Sequence, residues 1–186
     1  MSVQVEKWIF STDEYHRMSE AGILSEDVRV ELIDGEIIKM SPIGSRHVGC
    51  VNRLNTLLNR RAGQAAIVSV QNPIRIDQYS EPQPDIALLK PHDDFYAQSL
   101  ATADDVLLII EVADSSVDYD RDIKVPLYAR AGISETWLAN LQQDRVEVYS
   151  QPVNGVYQKI QHVSRGESLS PESFSNLRLS ADETLG

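Results

Sequence analysis

Apolar positions along this chain fall into three patterns. Val28-Arg29-Val30-Glu31-Leu32-Ile33 alternates as a half-buried strand does. Asp34-Gly35 then supplies a tight hairpin turn before a second strand, Glu36-Ile37-Ile38-Lys39-Met40. Between Ser45 and Arg61 the spacing turns helical: Val51, Leu54 and Leu58 share one face, and Gly63 marks the stop. The third pattern is continuous. Pro84-Asp85-Ile86-Ala87-Leu88-Leu89 and Leu107-Leu108-Ile109-Ile110-Glu111-Val112 read as buried strands, each with one carboxylate near an end.

The remaining segments complete the order. Ser11-Thr12-Asp13-Glu14 is a capping box that opens a short helix ending near Gly22. Strands are predicted at about Ala65 to Gln71 and Ile74 to Ile76, and Lys90 to Asp105 reads as an acidic loop or short helix. Ser115 to Gly132 is predicted helical, with a kink where Pro126 removes a backbone donor. Strands at Glu135 to Leu141, Arg145 to Ser150 and Val156 to His162 follow, the last two joined at Asn154-Gly155. Trp137 and Tyr149 are expected in the core. The expected fold class is α/β, or α+β with a mixed sheet, in a single domain over 1–186 without repeats or linkers.

Composition narrows the class. An apolar fraction of 42% and a mean hydropathy of -0.27 suit a water-soluble domain. No apolar run reaches the ~20 residues of a membrane span. Met1 to Phe10 lacks the regions of a secretory signal, and Cys50 is the single cysteine, so a cytoplasmic location is expected. The net charge of -11 argues against a broad phosphate-binding surface, but not against a local one.

A carboxylate in a buried strand is costly unless it is paired or bound to a cation. Asp85 and Glu111 lie 26 positions apart, room for paired strands, and their oxygens suit Mg²⁺ or Mn²⁺. Two strand ends that simply meet solvent are the plainer alternative. Asp120, Lys124 and Tyr128 fall on one helical face; Lys124 either completes a site with the carboxylates or makes an ordinary surface pair with Asp120. Arg46, Arg53 and Arg60 repeat every seventh residue on another face of their helix, either as a DNA-backbone stripe or as a solvated charged face.

The order of these motifs resembles the Uma family of restriction-endonuclease-like proteins, a PD-(D/E)XK nuclease group common in cyanobacteria and long carried as a domain of unknown function. The resemblance rests on Pro84-Asp85, Glu111-Val112-Ala113, Asp120-x-x-x-Lys124-x-x-x-Tyr128 and Gly132-Ile133-x-x-x-Trp137. Glu31-Leu32-Ile33-Asp34-Gly35-Glu36 and Met40-Ser41-Pro42, followed by His47, extend it. It implies a restriction-endonuclease-like core, a mixed sheet flanked by helices, with an N-terminal helix and hairpin. It also implies a Mg²⁺- or Mn²⁺-dependent endonuclease that hydrolyses phosphodiester bonds of DNA. Asp85, Glu111 and the Val112 carbonyl would bind metal, with Lys124 as the catalytic lysine and His47, Glu31 and Gln71 as accessory groups. The superfamily's usual lysine position holds Ala113, so Lys124 would act from the following helix. A homodimer is the expected assembly. The alternative is a non-catalytic nucleic-acid- or protein-binding module on the same fold.

Overall fold

The computed structural model describes residues 6–25 and 27–186. The expectation for Met1 to Val5, that no secretory signal begins there, lies outside the described residues. Helix α1 (Thr12–Glu20) opens on the Ser11–Glu14 capping box. Strands β1 (Val30–Ile33) and β2 (Glu36–Lys39) pair around Asp34-Gly35, whose φ values of 49° and 77° are those of a primed hairpin turn. Helix α2 (Ser45–Ala62) buries Cys50, Val51, Leu54, Leu58 and Ala62.

The central sheet holds β3 (Ile67–Val70), β4 (Ile86–Leu89), β5 (Val106–Ala113), β6 (Glu135–Asn140), β7 (Arg145–Val153) and β8 (Val156–Ser164), in that spatial order. Only β5 and β6 run parallel; every other pair is antiparallel. The class is therefore a mixed-sheet α/β fold. β5 lies near the middle with layers on both faces, which is why its sequence is almost continuously apolar. On one face α2 packs through Leu54 and Leu58 against Ile110 and Trp137. Tyr128 and Ile133 meet Ile109 on the other, and Val125 and Ala129 meet Leu138 and Tyr149. Trp137 is fully buried, and Tyr149 is buried as well.

Two expectations are corrected. Ile74 to Ile76 forms no continuous strand, because its amides are split between two segments: Ile74 and Ile76 donate to Pro82 and Ser80, and Arg75 to Ala101. The helix after β5 is not a kinked α-helix. It runs as α3 (Val117–Tyr119), a π-helical turn (Asp120–Lys124) and α4 (Val125–Arg130). The Val125 amide reaches back five residues to the Asp120 carbonyl, and Pro126 sits in the first turn of α4, where a missing donor costs little. A π turn inserts an extra residue per turn and is a common feature of functional sites.

Beyond β8 the chain adds β9 (Ser168–Leu169), β10 (Leu179–Ser180) and α5 (Ala181–Leu185). Their Leu169, Leu177, Leu179 and Leu185 close the α2 side of the core. Among the described residues no helix is long and apolar enough to cross a membrane.

Candidate active site

Asp85 directly precedes β4, displaced from the ladder by Pro84, which cannot donate a strand hydrogen bond. Glu111 sits within β5. Where the two strands run side by side, the Asp85 amide approaches Glu111 Oε2 at 3.3 Å, and the Val112 amide donates to Asp85 Oδ2 at 2.9 Å. The two carboxylates are thus held at one end of β4 and β5 by amides of the neighbouring strand.

The π turn delivers the rest. Lys124 Nζ stands 2.7 Å from Glu111 Oε1, 3.5 Å from Glu31 Oε2 and 3.4 Å from the Gln83 carbonyl. From the next helical turn the Tyr128 hydroxyl donates to the same Glu111 Oε1 at 2.6 Å. Glu31 arrives from the hairpin, fixed by the Tyr119 hydroxyl at 3.2 Å and the Gln83 amide at 3.1 Å. Asp120 is buried at the head of the turn and accepts from the Ser116 hydroxyl at 2.5 Å. Ala113 is fully buried beside Val117, Val125 and Leu138, so the position offers no room for a lysine pointing into the site. A lysine supplied from the helix reaches Glu111 nonetheless.

His47, on the first turn of α2, places Nε2 2.9 Å from Asp85 Oδ1, off the line of a hydrogen bond. The attraction is Coulombic, and this buried nitrogen has no directed partner among the described residues. Gln71 is held at φ 52°, where β3 turns away from its partner, and donates to Asp85 Oδ1 at 3.1 Å. Of the residues expected at the site, Asp85, Glu111, Val112, Lys124, His47, Glu31 and Gln71 come together. The arginine stripe does not join them. Arg46 is exposed and donates to the Leu141 carbonyl at 2.8 Å; Arg53 lies against Gly186; Arg60 is exposed. The cations lining the cleft are instead Arg29, Lys39 and Lys124, in an open cavity of about 450 Å³.

The electrostatics are unbalanced. Glu31, Asp85, Glu111 and Asp120 are all buried around one lysine and one histidine. Burial pushes the Glu111 carboxyl up; Lys124 opposes that push, and the Asp120 and Asp85 charges add to it. Asp120 is raised for the same first reason. Asp85 goes the other way: burial would raise it, but the His47 contact, the Lys124 charge and the Val112 amide hold it low. Burial would deprotonate Lys124, yet Glu111, Glu31 and Asp120 keep it an ammonium. The His47 imidazole is raised by Asp85 against its own desolvation.

Among the described residues no three His, Cys, Asp or Glu side chains form a ready-made metal cage. The donor set still fits a hard cation: two neighbouring carboxylates and a backbone carbonyl leave positions for water, as Mg²⁺ prefers. The negative charge in excess at this cluster is what such a cation would offset.

A mixed sheet with a buried Asp and Glu at one end of its inner strands, and a lysine brought to them by the following helix beneath an open cleft, is the architecture of a restriction-endonuclease-like protein. The sequence agrees: the chain belongs to the Uma2 family, described as "Putative restriction endonuclease", whose model matches residues 12–182. The fold is similar to the crystal structure of a protein from Anabaena variabilis described as a putative nuclease belonging to DUF820. That similarity has a TM-score of 0.75 at 17% sequence identity and covers 95% of this chain and 97% of that one. No curated protein matches the chain.

Asp120, Tyr119 and Gln83 were not expected as site residues. Asp120 and Tyr128 could be found from their shared helical face with Lys124. Tyr119 and Gln83 carry no such signal.

Proposed function

We propose that this chain is a divalent-metal-dependent endonuclease that hydrolyses phosphodiester bonds, with DNA as substrate. One observation carries the reading: Glu31, Asp85, Glu111 and Asp120 are all buried at the floor of an open cleft, where Lys124, in contact with Glu31 and Glu111, is the one buried lysine. A purely structural cluster would be expected to offset its charge, because uncompensated buried charge is destabilising.

Asp85, Glu111 and the Val112 carbonyl would hold Mg²⁺ or Mn²⁺. Bound there, the cation would polarise a phosphoryl oxygen and lower the pKa of a water. The protein's own groups supply the rest. Lys124, held as an ammonium, cannot serve as a base; it orients the attacking water and stabilises negative charge growing on the phosphate oxygens. Glu31 and Tyr128 fix the geometry, Glu31 by holding Lys124 and Tyr128 by holding Glu111. His47 and Gln71 orient Asp85. In the overall step water adds across one P–O bond: the attacking oxygen loses a proton and the leaving oxygen gains one. Cutting both strands of a duplex needs two such sites, which a two-fold homodimer would supply.

The test is cleavage of single- and double-stranded DNA with Mn²⁺ by wild type and Lys124→Ala. Cleavage that is lost in the variant supports the lysine's role. Equal rates would remove it. Wild type that binds DNA without cutting would leave a binding module on the same fold.

A further inference from the structure

We propose that Arg29 clasps a backbone phosphate next to the one at the cleft floor, making the β1–β2 hairpin the wall on which the nucleic-acid strand is seated. This inference rests on the nuclease reading above.

Pairing of the hairpin continues past β1, since the Met40 amide donates to the Arg29 carbonyl at 3.0 Å. Arg29 therefore stands two residues from Glu31, about 7 Å along an extended chain, and both line the cleft. That step is comparable to the separation of neighbouring phosphates on one strand. Lys39, opposite Val30, belongs to the other face of the hairpin, so Arg29 is the cation that shares a face with Glu31. Among the described residues Arg29 has no carboxylate partner, whereas Arg46, Arg61, Arg121, Arg130, Arg145 and Arg165 each have one.

Arg29 lines the cleft from the hairpin, and Asp114 and Asp118 line it from the segment after β5, with Arg46 and Arg121 at 3.5 and 3.6 Å from them. Met40, Pro42 and Ile43 line the same mouth and give the sugar and base an apolar surface. The wall is also fixed in place. The Glu81 amide donates to the Leu32 carbonyl at 2.7 Å, the Gly35 amide to the Tyr79 carbonyl at 2.8 Å, and Arg130 grips both oxygens of Asp34 at 2.9 and 2.7 Å. A clasp built on an anchored hairpin needs no reordering when the strand arrives.

The experiment measures Mn²⁺-dependent cleavage of a short fluorescein-labelled DNA, single-stranded and duplex, and of the matching RNA, across a salt series. Variants are Arg29→Ala, Arg29→Lys, Lys39→Ala on the other face of the hairpin, and Arg178→Ala as an exposed, charge-matched control. Melting curves establish that each is folded. The proposal expects KM to rise several-fold in Arg29→Ala with kcat retained, and to recover in part in Arg29→Lys. The slope of log(kcat/KM) against log[salt] should become shallower by about one for Arg29→Ala and by less for Lys39→Ala. Arg29→Ala behaving like Arg178→Ala while wild type still cleaves overturns the clasp and leaves the nuclease standing. Wild type that cleaves none of these substrates overturns both.

Discussion

Two buried carboxylate clusters share the π turn, and they are charged in opposite ways. Glu147 on β7 is a single carboxylate with several donors: Arg121 at 2.6 Å, Arg145 at 3.1 Å, the Tyr149 hydroxyl at 2.7 Å and the Asn140 amide at 3.2 Å. Glu111 on β5 belongs to a group of four carboxylates that share Lys124 and His47. The turn itself divides the two. Asp120 and Lys124 point into the cleft cluster, while Arg121, one residue on from Asp120, turns to Glu147. Burial acts on both carboxylates, yet the Glu147 carboxyl falls to about 2 because its donors overcome desolvation, and the Glu111 carboxyl rises. Where the fold only has to be held together, the charge is closed; where the cleft opens, it is left in excess.

The sharpest way to break this comparison is to remove one carboxylate from the open cluster. Asp85→Asn should lower Mn²⁺-dependent cleavage by 10²- to 10³-fold or more, on the order of the loss from removing one preorganised charge-stabilising group. Its metal-free melting temperature should fall slightly, because the fold holds Asp85 ionised through His47, Lys124 and the Val112 amide. Cleavage assays paired with calorimetry read both quantities, and retained activity would remove Asp85 from the chemistry. Glu147→Ala should show the reverse. It takes the shared carboxylate from Arg121 and Arg145, which water still reaches, a loss of about 2 kcal/mol, or roughly 4–8 °C in a domain of this size. The folded fraction should still cleave within several-fold of wild type. A stable Glu147→Ala protein with no activity would reverse the assignment of the two clusters.

The sequence carried one cluster far better than the other. Asp85 and Glu111 stood out because a carboxylate interrupts an otherwise apolar run, and Lys124 because it shares a helical face with Asp120 and Tyr128. Hairpins at Asp34-Gly35 and Asn154-Gly155 were legible from turn chemistry alone. Glu147 sits in an alternating strand, where a charged residue is read as facing solvent; its burial comes from Arg121 on a distant helix. The π turn was hidden because pattern reading assumes 3.6 residues per turn, and Pro126 pointed to a kink instead. Ile74 to Ile76 has strand composition but splits its amides between two segments, which its own pattern does not reveal. The C-terminal elements are too short for periodicity to register, although Ser180 and Glu183 form a capping box. The arginine face of α2 misled for a related reason: what it meets depends on where the C-terminal segment docks, and Arg53 ends against Gly186.

A ligand that binds only the folded protein sharpens the contrast at smaller amplitude. At a concentration of Mn²⁺ about 100 times its dissociation constant, wild type should gain about 2.7 kcal/mol, seen as a rise of roughly 5–10 °C in melting temperature. Asp85→Ala should lose the shift, whereas Glu147→Gln should keep it. A full shift in Asp85→Ala would place the cation elsewhere.

Acid should separate the clusters last and most gently. Glu147 has a folded pKa of about 2 against an ordinary 4.5. Between those values the unfolded chain binds a proton that the folded protein refuses, so acid favours unfolding. The stability that Glu147 contributes is therefore complete above about pH 4.5 and drains away as the pH falls toward 2. Arg121 and Arg145 are each close to a third exposed, so water screens the interaction, and about 2 kcal/mol is the expected size. Glu147→Gln cannot titrate. Its stability should start lower at neutral pH and fall less steeply through this window, so that the two curves converge in acid. Urea unfolding at successive pH values measures this directly. Parallel curves would mean that Glu147 is not held ionised by its arginines, and the distinction between a closed and an open cluster would lose its charge-balanced half.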